Sequence, residues 1–113
     1  MKQFLIVLLC LFCSCSDGNI TLEEARQLDS LTRSDFNRIL RKENDLALEG
    51  INLMKTANED TAAMRRLLRV NDEIDSWREL VKEKLPENFE PSEEQQKMFR
   101  RVVEFKDQFA RFR

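Results

Sequence analysis

The chain has 113 residues, of which 42% are hydrophobic and 35% charged, and its formal net charge at pH 7 is −2. This length fits one small domain, and the balance of residue types suits a soluble helical domain. Two glycines and two prolines are too few for a collagen-like or loop-rich protein. Histidine is absent from the chain, which removes the usual general base and the commonest metal ligand.

The first residues, MKQFLIVLLCLFCSCS, have the three parts of a secretory signal. Lys2 provides a positive charge, residues 4–12 form an apolar run, and small residues follow. The run is too short to cross a bilayer as a helix, which takes about 20 residues. A buried N-terminal core helix is the alternative, and we disfavour it because no other part of the chain is so uniformly apolar.

Within this segment Ser14 precedes Cys15, and the order resembles a bacterial lipoprotein signal, in which a small residue stands before a cysteine that becomes acylated. The resemblance covers only residues 1–16. Phe12 departs from the leucine usual three residues before that cysteine, and the loose pattern is similar to that of Bacteroidetes lipoproteins. The resemblance implies that Cys15 carries the lipid, such as palmitate.

On this interpretation residues 1–14 are the signal peptide and residues 15–21 are the lipid anchor and a short tether. Cys10 and Cys13 then leave with the signal, so the mature chain keeps no free thiol and no disulfide. Because Ser16 rather than aspartate follows the cysteine, the resemblance also points to the outer membrane, on its periplasmic or its surface face.

A second cleavage site remains open. Ser14 and Ser16 fit the small-x-small rule for ordinary signal peptidase, which would release a freely secreted protein that begins at Asp17. In that case the clustering of the cysteines has no function.

Capping signals and apolar spacing predict one helical domain over residues 22–113. Each predicted start carries a capping residue: Thr21, Thr32, Asn58 and Ser92. The predicted helices span residues 22–31, 33–57, 59–85 and 93–112.

Three of these helices carry an apolar stripe at gaps of three and four residues, and no segment shows the period-two alternation of a strand. The third stripe is the most regular: Ala63, Leu67, Val70, Ile74, Trp77 and Val81. In the second helix Glu43 and Gly50 interrupt the stripe, and we expect Gly50 to admit a close neighbour. The sequence therefore predicts an all-α fold, either a small three-helix bundle or a long helical hairpin with coiled-coil-like packing, with a short extra N-terminal helix.

No motif predicts catalysis. The sequence has no glycine-rich phosphate loop, no Cys/His metal spacing and no Ser/His pair, so we expect no enzyme, no catalytic residue, no metal, no cofactor and no small-molecule substrate.

The last helix combines phenylalanine with basic residues, and six basic and two acidic residues give residues 97–113 a net charge of +4. A core helix that balances the acidic helices is the favoured interpretation. The alternatives are a docking helix for a protein groove and a helix on a membrane surface. An export signal argues against nucleic-acid binding. The candidate partner-binding surface comprises Met98, Phe99, Arg100, Arg101, Phe105, Phe109 and Phe112.

Together these features predict a lipid-anchored, non-enzymatic helical accessory or adaptor protein of the bacterial cell envelope. It would contact the membrane through its N-terminal lipid, and would contact another envelope protein, or a second copy of itself, through its helices. Secretion-system pilotins and exclusion lipoproteins are comparable in size, anchor and helicity. The alternative is a freely secreted helical binding protein cleaved near Ser16.

Overall fold

The computed structural model describes residues 20–112, and over that range the chain forms four helices and no strand. They are α1 (Leu22–Arg26), α2 (Arg33–Met54), α3 (Thr61–Lys84) and α4 (Glu93–Phe112). The predicted all-α small bundle is confirmed. The predicted signal peptide and the lipid site at Cys15 lie outside the described residues.

Side-chain caps set the beginnings of the helices. Thr32 and Asp35 form a reciprocal capping box at α2, with bonds of 3.1 and 3.0 Å between side chains and amides. Ser92 and Gln95 form the same arrangement at α4. Asp60, not the predicted Asn58, caps α3, because its Oδ1 accepts hydrogen bonds from two amides of the first turn.

The first helix is shorter than predicted because the chain after it packs across the end of α3. The Lys84 ammonium donates to the carbonyl oxygens of Arg26 and Leu28 at 2.6 and 2.5 Å. The amide of Leu31 in turn donates to the carbonyl oxygen of Lys84. These contacts occupy the groups that a longer α1 would have used.

Helix α2 lies at the centre of the bundle. Helices α3 and α4 both pack along α2 and approach each other less closely, while α1 packs against α3. The core is apolar and draws on every element, and its most deeply buried members include Ile39, Leu40, Leu67, Val70, Ile74, Val102 and Phe105.

Gly50 permits the close approach of α2 and α4. A Cβ atom built on Gly50 would overlap the ring of Phe105, which is itself fully buried. The expectation that this glycine admits a neighbouring helix is therefore confirmed.

The connector between α3 and α4 is attached to the start of α2. The ring of Phe89 packs edge-on against Phe36, with centroids 5.1 Å apart, and the Arg33 guanidinium lies over Phe89 at 4.7 Å. Arg33 also donates to the carbonyl oxygen of Glu90 at 2.9 Å. These contacts hold the beginning of α4 beside the beginning of α2.

Replacing Gly50 with alanine should destabilise the protein by up to about 2 kcal/mol. The added methyl group overlaps the buried ring of Phe105, and such overpacking costs about 1–3 kcal/mol, whereas alanine in a helix interior returns about 1 kcal/mol. Urea unfolding measures the difference. Adding Phe105→Leu should make Gly50→Ala less costly, and an equal cost in both backgrounds would contradict the steric explanation.

Trp77 is 2% exposed in the α3 stripe, so Trp77→Ala should lower the free energy of unfolding by about 3–5 kcal/mol. Leu68 on the same helix is 40% exposed, and Leu68→Ala should change stability far less. Equal effects of the two substitutions in urea unfolding would show that the stripe is not the core.

Candidate functional site

The structure divides the predicted partner-binding surface on α4 into buried and accessible parts. Phe105 and Phe109 lie in the core, at 0% and 4% exposure, because both face α2. Met98 and Phe112 are half-buried and pack against the core. These four side chains are therefore committed largely or wholly to the fold.

Three residues of that predicted surface remain accessible. Phe99 is 37% exposed, and Arg100 and Arg101 are exposed. Val103, one turn beyond Phe99, is 41% exposed. Beyond its acidic first turn, the accessible side of α4 is thus aromatic and basic around Phe99.

A groove of about 200 Å³ lies between the last turns of α3 and the first turns of α4. We call it the α3–α4 groove, and its lining is mainly apolar: Phe36, Arg78, Val81, Leu85, Pro91, Gln95, Gln96 and Phe99. A wider, shallower depression of about 690 Å³ continues from it along α3 and shares Arg78, Val81 and Leu85. This α3 depression is also bordered by Asp75, Glu79 and Lys82.

Arg78 is the charged residue of the α3–α4 groove. Its guanidinium lies over the ring of Phe99 at 4.3 Å, a distance suited to a cation–π contact. Its Nη1 donates to Oε2 of Glu43 at 3.2 Å. Within residues 20–112 its Nε and Nη2 donate to no other group, and one third of the side chain is exposed.

Glu43 holds Arg78 from the interior. Its side chain is fully buried in the apolar stripe of α2. Burial raises the pKa of Glu43 from 4.5 to about 7, although the charge and the hydrogen bond of Arg78 oppose this rise. Its Oε1 is buried and has no partner within the described chain. The carboxyl group is therefore poised to exchange a proton near neutral pH.

A second polar contact joins α3 to α4 farther along the same face. The Lys106 ammonium donates to Oδ1 of Asn71 at 2.5 Å and to Oδ1 of Asp75 at 2.6 Å. Two helical turns of α4 separate Lys106 from Phe99. The space between α3 and α4 is thus open near Phe99, whereas near Lys106 the two helices are joined by polar contacts.

Sequence reasoning missed the central pair of this site. Glu43 was treated as an interruption of the stripe and Arg78 was not singled out. The signal was present, since Leu40, Glu43, Ala47 and Gly50 follow the three–four spacing of one buried face. A carboxylate at such a position requires a buried partner, and an arginine on another helix is the partner to be expected.

Residues 20–112 contain neither a candidate membrane-spanning helix nor a candidate metal site. In that range no helix has the length and apolar character needed to cross a membrane. Nor does that range group three or more acidic, histidine or cysteine side chains in an arrangement that would bind a metal ion.

Comparison of the chain with protein-family models, with curated proteins and with solved structures gives no match.

The titration of Glu43 predicts how stability depends on pH. Its pKa is about 7 in the folded protein and 4.5 in the unfolded chain, so the folded state binds the proton more tightly. The resulting stabilisation is complete below about pH 4.5 and is lost as the pH rises through about 7. The wild type should lose roughly 3 kcal/mol over this range, and Glu43→Gln should not lose it.

Urea unfolding at several pH values between about 5 and 8 tests this expectation. Glu49→Gln is the matched control, because Arg66 holds the pKa of that carboxyl below its usual value by a direct hydrogen bond. Its contribution is lost only as the pH falls through its depressed pKa, which lies below this range. If the free energy of unfolding changes with pH in the same way in the wild type and in Glu43→Gln, Glu43 is not the group responsible.

Proposed function

We propose that the protein is a lipid-anchored, non-enzymatic adaptor of the bacterial cell envelope, held at the outer membrane through Cys15 and acting by contact with another protein. The position of Cys15 carries the proposal. It lies three positions after the apolar run of residues 4–12 and precedes Ile20, the first described residue, by only five positions.

The fold supports a body held close to the bilayer. Ile20 is 3% exposed and belongs to the core, so the chain is already packed into the folded body at this position. A chain spans at most about 3.6 Å per residue, which limits the tether between Cys15 and Ile20 to about 18 Å. A protein anchored in this way works at the membrane surface.

The chemistry of the α3–α4 groove supports binding as the activity. Its polar side chains are the guanidinium of Arg78 and the amides of Gln95 and Gln96. These groups are hydrogen-bond donors, and the two amides also accept. Glu43, which titrates near neutral pH, lies behind Arg78 and is fully buried.

Cells of a Bacteroidetes host that produce the full chain should incorporate labelled palmitate into the protein. Cys15→Ala should abolish the label, because no other cysteine follows the cleavage site. Cys13→Ala is the matched control and should keep the label. Mass spectrometry of the mature N-terminus then identifies the modified residue.

A mature protein that begins at Asp17 and carries no fatty acid would contradict the anchoring. That result would establish the freely secreted helical binding protein as the better description.

A further inference from the structure

The size of the α3–α4 groove limits what can occupy it. Small-molecule sites usually enclose about 300–1,000 Å³, whereas this groove measures about 200 Å³. Its apolar surface comes from Phe36, Val81, Leu85 and Phe99. By itself the groove has room for a single large apolar side chain, and anything larger must extend into the α3 depression.

The charge at the groove specifies a second feature of the occupant. The Nε–Nη2 edge of Arg78 has no partner within residues 20–112 and is the edge that binds a carboxylate through two parallel hydrogen bonds. Glu43 and Phe99 already fix the guanidinium in place. Lys82, on the rim of the α3 depression, is exposed and has no ion-pair partner in that range.

The acidic residues of the α3 depression limit how many carboxylates a bound segment can carry. Asp75 is paired with Lys106, but Glu79 is exposed and lacks a partner among the described residues. A long acidic segment would place a negative charge against Glu79, and like charges repel. The surface is complementary to one carboxylate that lies beside an apolar side chain.

The shape of the surface favours a polypeptide over a lipid bilayer. The α3 depression continues from the α3–α4 groove along one helix, so an elongated segment can lie in it while one side chain enters the groove. A bilayer surface instead meets the convex apolar face of an amphipathic helix.

We propose that the α3–α4 groove binds a protein segment in which a large apolar residue adjoins an aspartate or glutamate. The apolar side chain packs against Val81, Leu85 and Phe99, and the carboxylate accepts two hydrogen bonds from Arg78. This rests on the proposed function only in taking the segment to belong to another envelope protein.

Selection of a phage-displayed library of random peptides on the full chain in detergent micelles tests the proposal. The enriched peptides should share an acidic residue beside Phe, Leu, Met or Trp. In a synthetic peptide of the enriched sequence, replacing that acid with its amide should weaken binding at least tenfold, measured by fluorescence polarisation.

Matched variants of the protein locate the site. Phe99→Ala and Arg78→Gln should each weaken peptide binding at least tenfold, while Val103→Ala and Arg101→Gln should change it less than twofold. Circular dichroism verifies that each variant folds. If Arg78→Gln does not fold, the binding measured with Phe99→Ala and with the amide peptide decides whether the groove is the binding site.

The proposal is wrong if no sequence is enriched, if the enriched sequences lack the acid, or if Val103→Ala weakens binding as much as Phe99→Ala. It is also wrong if phosphatidylglycerol vesicles bind the chain in a Phe99-dependent manner and peptides do not. The selection is independent of acylation, so these results judge the groove, and palmitate labelling judges the anchor.

Discussion

The ion pair between Glu43 on α2 and Arg78 on α3 determines the structure of the α3–α4 groove. A buried carboxylate is costly unless it is paired, and here one hydrogen bond of 3.2 Å provides the pairing. The same bond fixes a long, flexible side chain over the ring of Phe99. Arg78 thus presents its remaining donors in a preorganised position, and the fold has already met the entropic cost of ordering it.

The groove lies between two helices, α3 and α4, that both pack on α2. Gly50 lets the ring of Phe105 approach α2 closely. At the other end of α4, Phe89 and Arg33 attach the connector to the start of α2. These two constraints fix the position of α4 against α2. Helix α3 packs on α2 through its own apolar stripe, and the space near Phe99 is left unfilled.

The sequence was sufficient to predict the helices and most of their caps, because periodic apolar spacing and capping boxes are local signals. It was insufficient to predict which α4 residues are accessible, since an apolar stripe does not show how far neighbouring helices cover the residues at its edge, such as Phe99. It missed Glu43 for a related reason: a stripe identifies an apolar face, whereas the partner of a buried charge lies on a different helix, 35 residues away in the chain. The choice of Asp60 over Asn58 as a cap likewise depended on where the turn after α2 ends.

The position of the groove connects it with the proposed anchor. The segment that follows α1 is bonded to Lys84, in the last turn of α3, and that turn lies beside Val81 and Leu85 of the groove. The segment that follows α1 and the groove therefore lie at the same end of the bundle. Under the proposed acylation of Cys15, that end is the one nearest the bilayer. A partner segment bound there would be held close to the membrane surface, and this places the preferred partner among proteins whose accessible segments lie at that surface.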